Sequence, residues 1–354
     1  MKPVIKKSRT RNREGARGVG IREVATRAGV STATVSRSLN NPNSVSAELR
    51  ARIAATIDEV GYIPDASARA LTVRRTRTIG AIVPTVDNAM FAQGLQSLQR
   101  YLASRDHLLL LATNEYDLDV ELKQARNLVS RGIDGLILRG DEHHAELRKL
   151  LTDQCIPFVN VGVYEPHKPY ASIGTDNAAA GRSVTRHLTG LGHRRIAMVA
   201  AMQRNNDRAQ ARLRGVKEAL EEAGLSMRPD WTLQVNYRLD EARAAARALF
   251  GLKDRPTAVV CGNDVIAYGV LLEAAKLGLP VPESVSVVGF DDLEWSRHLH
   301  PALTTIHMPT DEIWQRAGEY LVHTLSGMPA IRHHELDFSL VVRESTAPAP
   351  GDGA

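Results

Sequence analysis

The chain has 354 residues, 43% of them apolar, which suits two or three packed domains and excludes a chain disordered throughout. It holds no run of about 18 apolar residues, so no spanning helix is predicted, and the basic segment Met1–Gly20 lacks the apolar stretch of a secretory signal. Residues 1–77 carry 16 Lys and Arg against 6 Asp and Glu, while the remainder carries 29 against 34. A basic head on an acidic body has the electrostatic footprint of a polyanion binder. The two cysteines, Cys155 and Cys261, both lie in apolar runs, which predicts buried thiols in a reducing cytoplasm.

In chain order, residues 1–19 show no periodicity and read as a disordered basic tail. Residues 20–63 read as three helices. Val24, Ala25 and Ala28 form one apolar face, Gly29 supplies a left-handed turn, and Ser31 caps a second helix. Val35 and Leu39 of that helix point inward, which leaves Thr32, Ala33, Ser36, Arg37 and Asn40 outward. A third helix follows Ser46, buries Leu49, Ile53, Ile57 and Val60, and stops at Gly61. A short second helix with a small, polar and basic N-terminal end is what a major-groove reader of the helix-turn-helix type requires. A three-helix bundle without a ligand would leave the charge unexplained.

Residues 64–77 open with the alanine-rich Pro64–Leu71, too short to hold a helix alone in water, and end on a basic stretch. They read as a linker or as a hinge helix that needs a partner to form. From residue 78 to about 346, short apolar runs alternate with amphipathic helical patterns. Strands are predicted at 79–83, 108–113, 135–138, 158–161, 195–200, 233–235, 258–261, 285–289 and 304–307. Helices are predicted near 91–104, 119–131, 143–153, 177–191, 210–223, 240–250, 264–277 and 311–326. Such alternation predicts parallel sheets covered on both faces, and nine strands suit two sheets better than one. Residues 347–354 read as a disordered tail.

Several strings carry a resemblance. In the head they are Ala-Gly-Val-Ser at 28–31, Ala-Thr-Val-Ser-Arg at 33–37, Leu-Asn-Asn-Pro at 39–42 and Gly-Tyr-Ile-Pro at 61–64. In the body they include Asp-Gly-Leu-Ile-Leu at 134–138, Gly-Asn-Asp-Val-Ile-Ala-Tyr-Gly at 262–269 and Val-Val-Gly-Phe-Asp-Asp at 287–292. With these, the chain from residue 20 to about 346 resembles the lac-repressor/galactose-repressor family of bacterial transcription regulators. The resemblance implies an all-α helix-turn-helix head followed by an α/β body of two doubly wound lobes, similar to periplasmic sugar-binding proteins. It implies base contacts from Thr32, Ala33 and Arg37 and phosphate contacts from Ser31, Thr34 and Ser36, with Asn40 on the same side. It also implies a hinge whose Leu71 wedges into the minor groove. Gly20 departs from the family, which often has a hydroxyl-bearing cap at that place.

For the body, the resemblance implies one lobe from about 78–162 plus 304–328 and another from about 172–292 plus 331–346. Ligands of such sheets sit beyond the carboxyl ends of the strands. The side chains that follow the strands there, and that match the family's effector contacts, are Met90, Phe91, Asp176, Arg212, Tyr237, Asn263 and Asp291. Two aromatic faces with a few placed polar groups suit a small, hydroxyl-rich metabolite. Asp264 reads as the cap of its helix, and the polar loop 202–209 departs from the best-known members.

Catalytic signatures are absent: no nucleophile elbow, phosphate loop or dinucleotide fingerprint follows a strand. The pairs His143-His144 and His333-His334 are adjacent and diverge on regular structure, so neither metal nor cofactor is expected. The reading is a cytoplasmic, non-enzymatic transcription regulator, a repressor. Its partners are double-stranded operator DNA, a small-molecule effector and a second copy of the chain, with a tetramer as the alternative to a homodimer and no membrane. Two rivals stand beside it. A solute-binding receptor of a transport system would leave residues 1–77 idle, and an enzyme on the same sheets lacks a catalytic constellation.

Overall fold

The computed structural model describes residues 19–63 and 75–351. The expectations for residues 1–18, for the hinge segment 64–71 with Leu71, and for residues 352–354 therefore lie outside the described residues. The described chain divides into two units, one ending at Thr76 and one starting at Arg77.

The first unit is built from α1 (Ile21–Arg27), α2 (Thr32–Asn40) and α3 (Ala47–Val60). Gly29 takes φ 65° between α1 and α2, and Gly61 takes φ 64° after α3, so both turns fall where the sequence places a residue without a Cβ. Ser31 Oγ accepts the Thr34 N–H at 3.1 Å and Ser46 Oγ accepts the Leu49 N–H at 3.4 Å. Each cap satisfies a donor that the first helical turn cannot. Gly20 precedes α1 with no side-chain cap. Val24, Ala25, Ala28, Val35 and Ile53 are buried, and Leu39, Leu49, Ile57 and Val60 pack around them. Arg27 pairs with Glu59 at 2.9 Å and ties α1 to α3.

The second unit holds two six-stranded sheets. The first runs in the order β11-β5-β4-β3-β1-β2 and is parallel throughout. Its strands are β1 (Thr78–Val83), β2 (Leu108–Thr113), β3 (Gly135–Arg139), β4 (Phe158–Val161), β5 (Ala171–Gly174) and β11 (His333–Glu335). The second runs β12-β10-β9-β8-β6-β7, with only β12 antiparallel. It comprises β6 (Ile196–Ala201), β7 (Thr232–Val235), β8 (Ala258–Cys261), β9 (Ser286–Asp291), β10 (Thr304–His307) and β12 (Ser339–Val341). Strands β1, β6 and β9 are buried along their whole length. That is why they read as unbroken apolar runs, since helices cover both faces.

On lobe one lie α4 (Ala89–Ala103), α5 (Leu118–Ser130), α6 (Ala145–Asp153) and α11 (Thr310–Ser326), the last packed on α4 with Trp314 buried between them. On lobe two lie α7 (Asn177–Gly190), α8 (Asp207–Glu222), α9 (Leu239–Phe250) and α10 (Asp264–Lys276). Helices α7 and α8 touch along their backbones: a Cβ on Gly215 would collide with the Ala178 carbonyl oxygen.

The chain crosses between lobes three times, after β5, after β10 and after β11. This corrects the expected division. The segment 171–174 pairs with β4 and belongs to lobe one, and β10 pairs with β9 and belongs to lobe two. The tail also departs from expectation where it is described. The Ala347 N–H donates to Ser286 Oγ at 3.1 Å, and the Ala349 N–H donates to the Leu191 carbonyl at 2.8 Å. Residues 347–349 are thus bonded to lobe two, because their backbone donors find acceptors there. Cys261 is buried as expected, but Cys155 is exposed, because it sits with φ 54° in the turn that ends α6 rather than in the following strand.

Candidate functional site

In the head, α2 is the element with outward chemistry. Ser31, Thr32, Ala33 and Arg37 are exposed, and Thr34, Ser36 and Asn40 are half-buried. Ser31 Oγ and Thr34 Oγ1 lie 2.9 Å apart, Asn40 Nδ2 donates to Ser36 Oγ at 3.2 Å, and Arg37 Nε leans back on the Ala33 carbonyl at 3.4 Å. The candidates are therefore collected along one side and the N-terminal end of a nine-residue helix. The free N–H groups and partial positive charge of that end suit phosphate oxygens, and the guanidinium of Arg37 is the one fork there suited to a guanine edge.

In the body, the facing ends of the two sheets enclose a cleft. From lobe one come Met90 and Phe91 at the start of α4, Tyr116 after β2 and Arg139 at the end of β3. From lobe two come Asn206, Arg208, Ala209 and Arg212 around the start of α8, and Tyr237 after β7. The space left between them, about 10 Å³ for the centre of a water molecule, is room for one water. The lobes are latched in this arrangement. Asn205 Nδ2 donates to the Tyr116 carbonyl at 2.7 Å, the Asp141 N–H donates to Asp207 Oδ2 at 2.5 Å, and Gln210 Nε2 donates to Glu142 at 3.2 Å.

Arg212 is the hub on lobe two. Its Nε donates to Asn177 Oδ1 at 3.1 Å, its Nη1 to the Gly262 carbonyl at 2.8 Å, and its Nη2 lies 3.5 Å from Asp291 Oδ1. Its guanidinium stacks 4.7 Å from the Phe290 ring centroid. Asp291 ends β9 with φ 108° and is buried. Burial raises its pKa, against the pull of Arg212 and Arg139. Asn263 spends Oδ1 on capping α10, accepting the Ile266 N–H at 2.9 Å. Its Nδ2 acts on the Asp291 carboxylate and helps to hold that pKa down, although neither Nδ2 nor Asp291 Oδ2 has a well-formed hydrogen bond.

Arg208 donates to Asp207 Oδ1 at 2.6 Å and to Asn206 Oδ1 at 3.1 Å. Burial works against its charge, but Asp207 and the oxygens of Tyr116 and Tyr237 outweigh it and hold the pKa above the ordinary value. The rings of Tyr116 and Tyr237 stack at 6.3 Å between centroids across the cleft, and burial pushes the Tyr116 hydroxyl well up. Tyr237 Oη accepts from Asn206 Nδ2 at 3.1 Å.

Of the seven effector candidates, the structure brings Met90, Phe91, Arg212 and Tyr237 to the cleft, with Asp291 and Asn263 behind Arg212. Asp176 does not join them. It caps α7 through the Ala179 N–H at 2.9 Å, pairs with Arg182 at 3.3 Å, and its carboxylate is half exposed. The next residue, Asn177, is the buried one, joining Arg212 to the Gly162 carbonyl. Asp264 is likewise not the cap of α10. It is buried at the first helical position and accepts from the Leu293 N–H, Ser296 Oγ and Thr305 Oγ1 at 2.6–2.8 Å. Burial, then the nearby Asp291, pushes its pKa up to about 8. Tyr116 and Arg139 are missing from the sequence reading, although both follow strand ends as the other candidates do. Among the described residues no cluster of His, Cys, Asp or Glu has a metal-holding arrangement. His143 is bonded to Glu121 at 3.1 Å and His333 to Ser172 at 3.1 Å.

A groove-reading helix and a two-lobed ligand cleft on one chain define a DNA-binding regulator under small-molecule control. The family model described as bacterial regulatory proteins, lacI family, matches residues 20–65, and that of a periplasmic binding protein-like domain matches residues 185–346. The HTH-type transcriptional repressor PurR of Pectobacterium carotovorum is 33% identical over 333 residues, 93% of this chain and 97% of that one. The lac repressor dimer bound to operator and the anti-inducer ONPF superposes with a TM-score of 0.83 at 25% identity, over 94% of this chain and all of that one. The complex of the transcriptional regulator CelR with cellobiose superposes at 0.69 and 28% identity, over 92% of this chain and 99% of that one. The chain belongs to the lacI family of bacterial regulatory proteins, and it is an effector-controlled transcription repressor.

Proposed function

We propose that the chain represses transcription as a cytoplasmic homodimer on a palindromic operator and that a metabolite bound between its lobes sets its operator affinity. The observation that carries this reading is the cleft itself. Its walls come from both lobes, so a ligand there interacts differently with parted and closed lobes, and only such a difference can shift an equilibrium. In this reading Thr32, Ala33 and Arg37 read bases, and Ser31, Thr34, Ser36 and Asn40 fix register on the backbone. Leu71 is the minor-groove wedge, and Phe91, Met90, Arg212, Tyr237, Asn263 and Asp291 hold the effector together with Tyr116, Arg139 and Arg208. No catalytic step is needed.

Pairing is supported by apolar surface left in the open. Trp295 is 72% exposed, Leu272 52% and Leu239 44%, and they adjoin Leu271 and Leu299 on lobe two. On lobe one the edge strand β2 exposes Leu108 and Leu111. A patch of this kind on a soluble domain marks a contact surface. In this reading lobe two is a principal part of the pairing surface. The lac repressor, to which the chain is similar, is a dimer on its operator.

The test is selection of duplexes from a random pool by the full chain, followed by gel shifts on the selected site with and without candidate metabolites. A two-fold symmetric site should emerge, and a cleft-binding metabolite should change its retention. A pool that shows no sequence preference would refute the reading.

A further inference from the structure

The charges of the cleft do not balance. Three guanidinia converge on it, Arg139 from lobe one and Arg208 and Arg212 from lobe two. Asp207 is committed to Arg208, and Asp291 stands 3.5 Å from Arg212. Arg139 forms no ion pair among the described residues, and its Nε is buried without a hydrogen-bond partner. Burial pulls its pKa down to about 10, and the facing charges of Arg208 and Arg212 add to that.

The backbone is shaped around these groups. Gly162, with φ 81°, leaves the space that the Arg139 guanidinium fills, and Gly140, with φ 86°, leaves the space that the Arg208 guanidinium fills. A Cβ at either glycine would collide with the arginine. The Phe91 ring, 5.8 Å away, backs Arg139. Asp291 acts on Arg139 only from beyond ion-pair distance, and a half-buried cation without a paired counter-charge is costly unless something supplies one. Because Arg139 and Arg208 belong to different lobes, their repulsion also opposes closure.

We propose that the effector is a small organic anion that also carries hydroxyl or N–H donors. The lobes part to admit it, since the closed cleft has room for one water; its carboxylate or phosphate then sits between Arg139 and Arg208 and bridges the lobes, and its donors face Asp291. The inference rests on the cleft being the effector site. The anion converts a repulsion across the cleft into two charge-assisted contacts.

The experiment is thermal denaturation of the full chain and of Arg139→Gln, each alone and with D-gluconate, D-glucuronate, D-glucose 6-phosphate, inorganic phosphate or D-glucose. Without ligand, Arg139→Gln should melt higher than the parent, because a half-buried unpaired charge is gone. At least one anion should raise the melting temperature of the parent where glucose does not, and the carboxylate and phosphate arms tell the two sources apart. Calorimetry should then show about tenfold or greater weakening of that anion in Arg139→Gln, with binding partly kept in Arg139→Lys. A lower ligand-free melting temperature of Arg139→Gln, a glucose shift equal to that of its charged forms, or no shift with any anion overturns the proposal. An anion that binds through Arg139 yet leaves operator affinity unchanged would instead refute the regulatory reading, and of this inference only the anion site would stand. A neutral effector that changes operator affinity refutes this one alone.

Discussion

Arg37 is an exposed fork on the presenting side of α2, so its removal should cost discrimination rather than overall attraction. Arg37→Ala should lose about 1–3 kcal/mol of preference at one base pair of each half-site, read by competition between the selected site and single-base variants. Equal weakening on specific and random DNA would contradict the role. Asp264 permits a second prediction. Its folded pKa of about 8 lies above the unfolded value of about 4, so folding takes up a proton. The stability this contributes is fully present below pH 4 and is lost as pH rises towards 8, by up to about 1.4 kcal/mol per unit. Urea midpoints of the parent should fall across that window, and those of Asp264→Asn should fall less. At this scale the sequence is legible where a residue acts locally. Ser31, Ser46, Gly29 and Gly61 declare caps and turns by type alone. It is silent on which of two adjacent residues, Asp176 or Asn177, turns inward, because that depends on the angle at which the chain passes between lobes. Arg139 is hidden for a related reason: it prolongs β3 by one residue, and an arginine closing an apolar run reads as a solvated end.

Among the elements, the α7–α8 contact is the one with least tolerance. It sets Asn177 and Arg212 against each other, and Gly215 lets the two helices meet. Gly215→Ala should destabilise the body by about 1–3 kcal/mol or more, lowering its urea midpoint, and should loosen the cleft wall through Arg212. All nine strands expected from apolar runs are present, and their helices start and stop within a few residues of expectation. The three strands left out are β5, β11 and β12, each of three or four residues. β11 is His-His-Glu, and its pairing comes from Ser172 and its neighbours across the sheet edge rather than from any pattern of its own. The lobe to which Thr304–His307 belongs was equally unreadable, since a buried parallel strand shows the same apolar run whichever sheet accepts it.

For the whole molecule, the proposed pairing of two copies through the apolar surface around Leu272 and Trp295 is the step on which tight DNA binding would depend. Leu272→Arg should yield a monomer in sedimentation at micromolar concentration, with operator affinity down by about 10²-fold or more, because two linked heads bind far more tightly than one. A dimer with unchanged affinity would move the pairing surface elsewhere. The three passages between lobes have a further consequence, in the order in which the molecule is made. The head is contiguous in sequence and rests on local contacts, so it can fold as soon as its residues are free. Lobe one must wait for α11 and β11, which are encoded close to the end of the chain. A ribosome therefore releases a finished DNA-reading module long before lobe one is complete, and a transcript broken upstream of Thr310 would leave lobe one without α11.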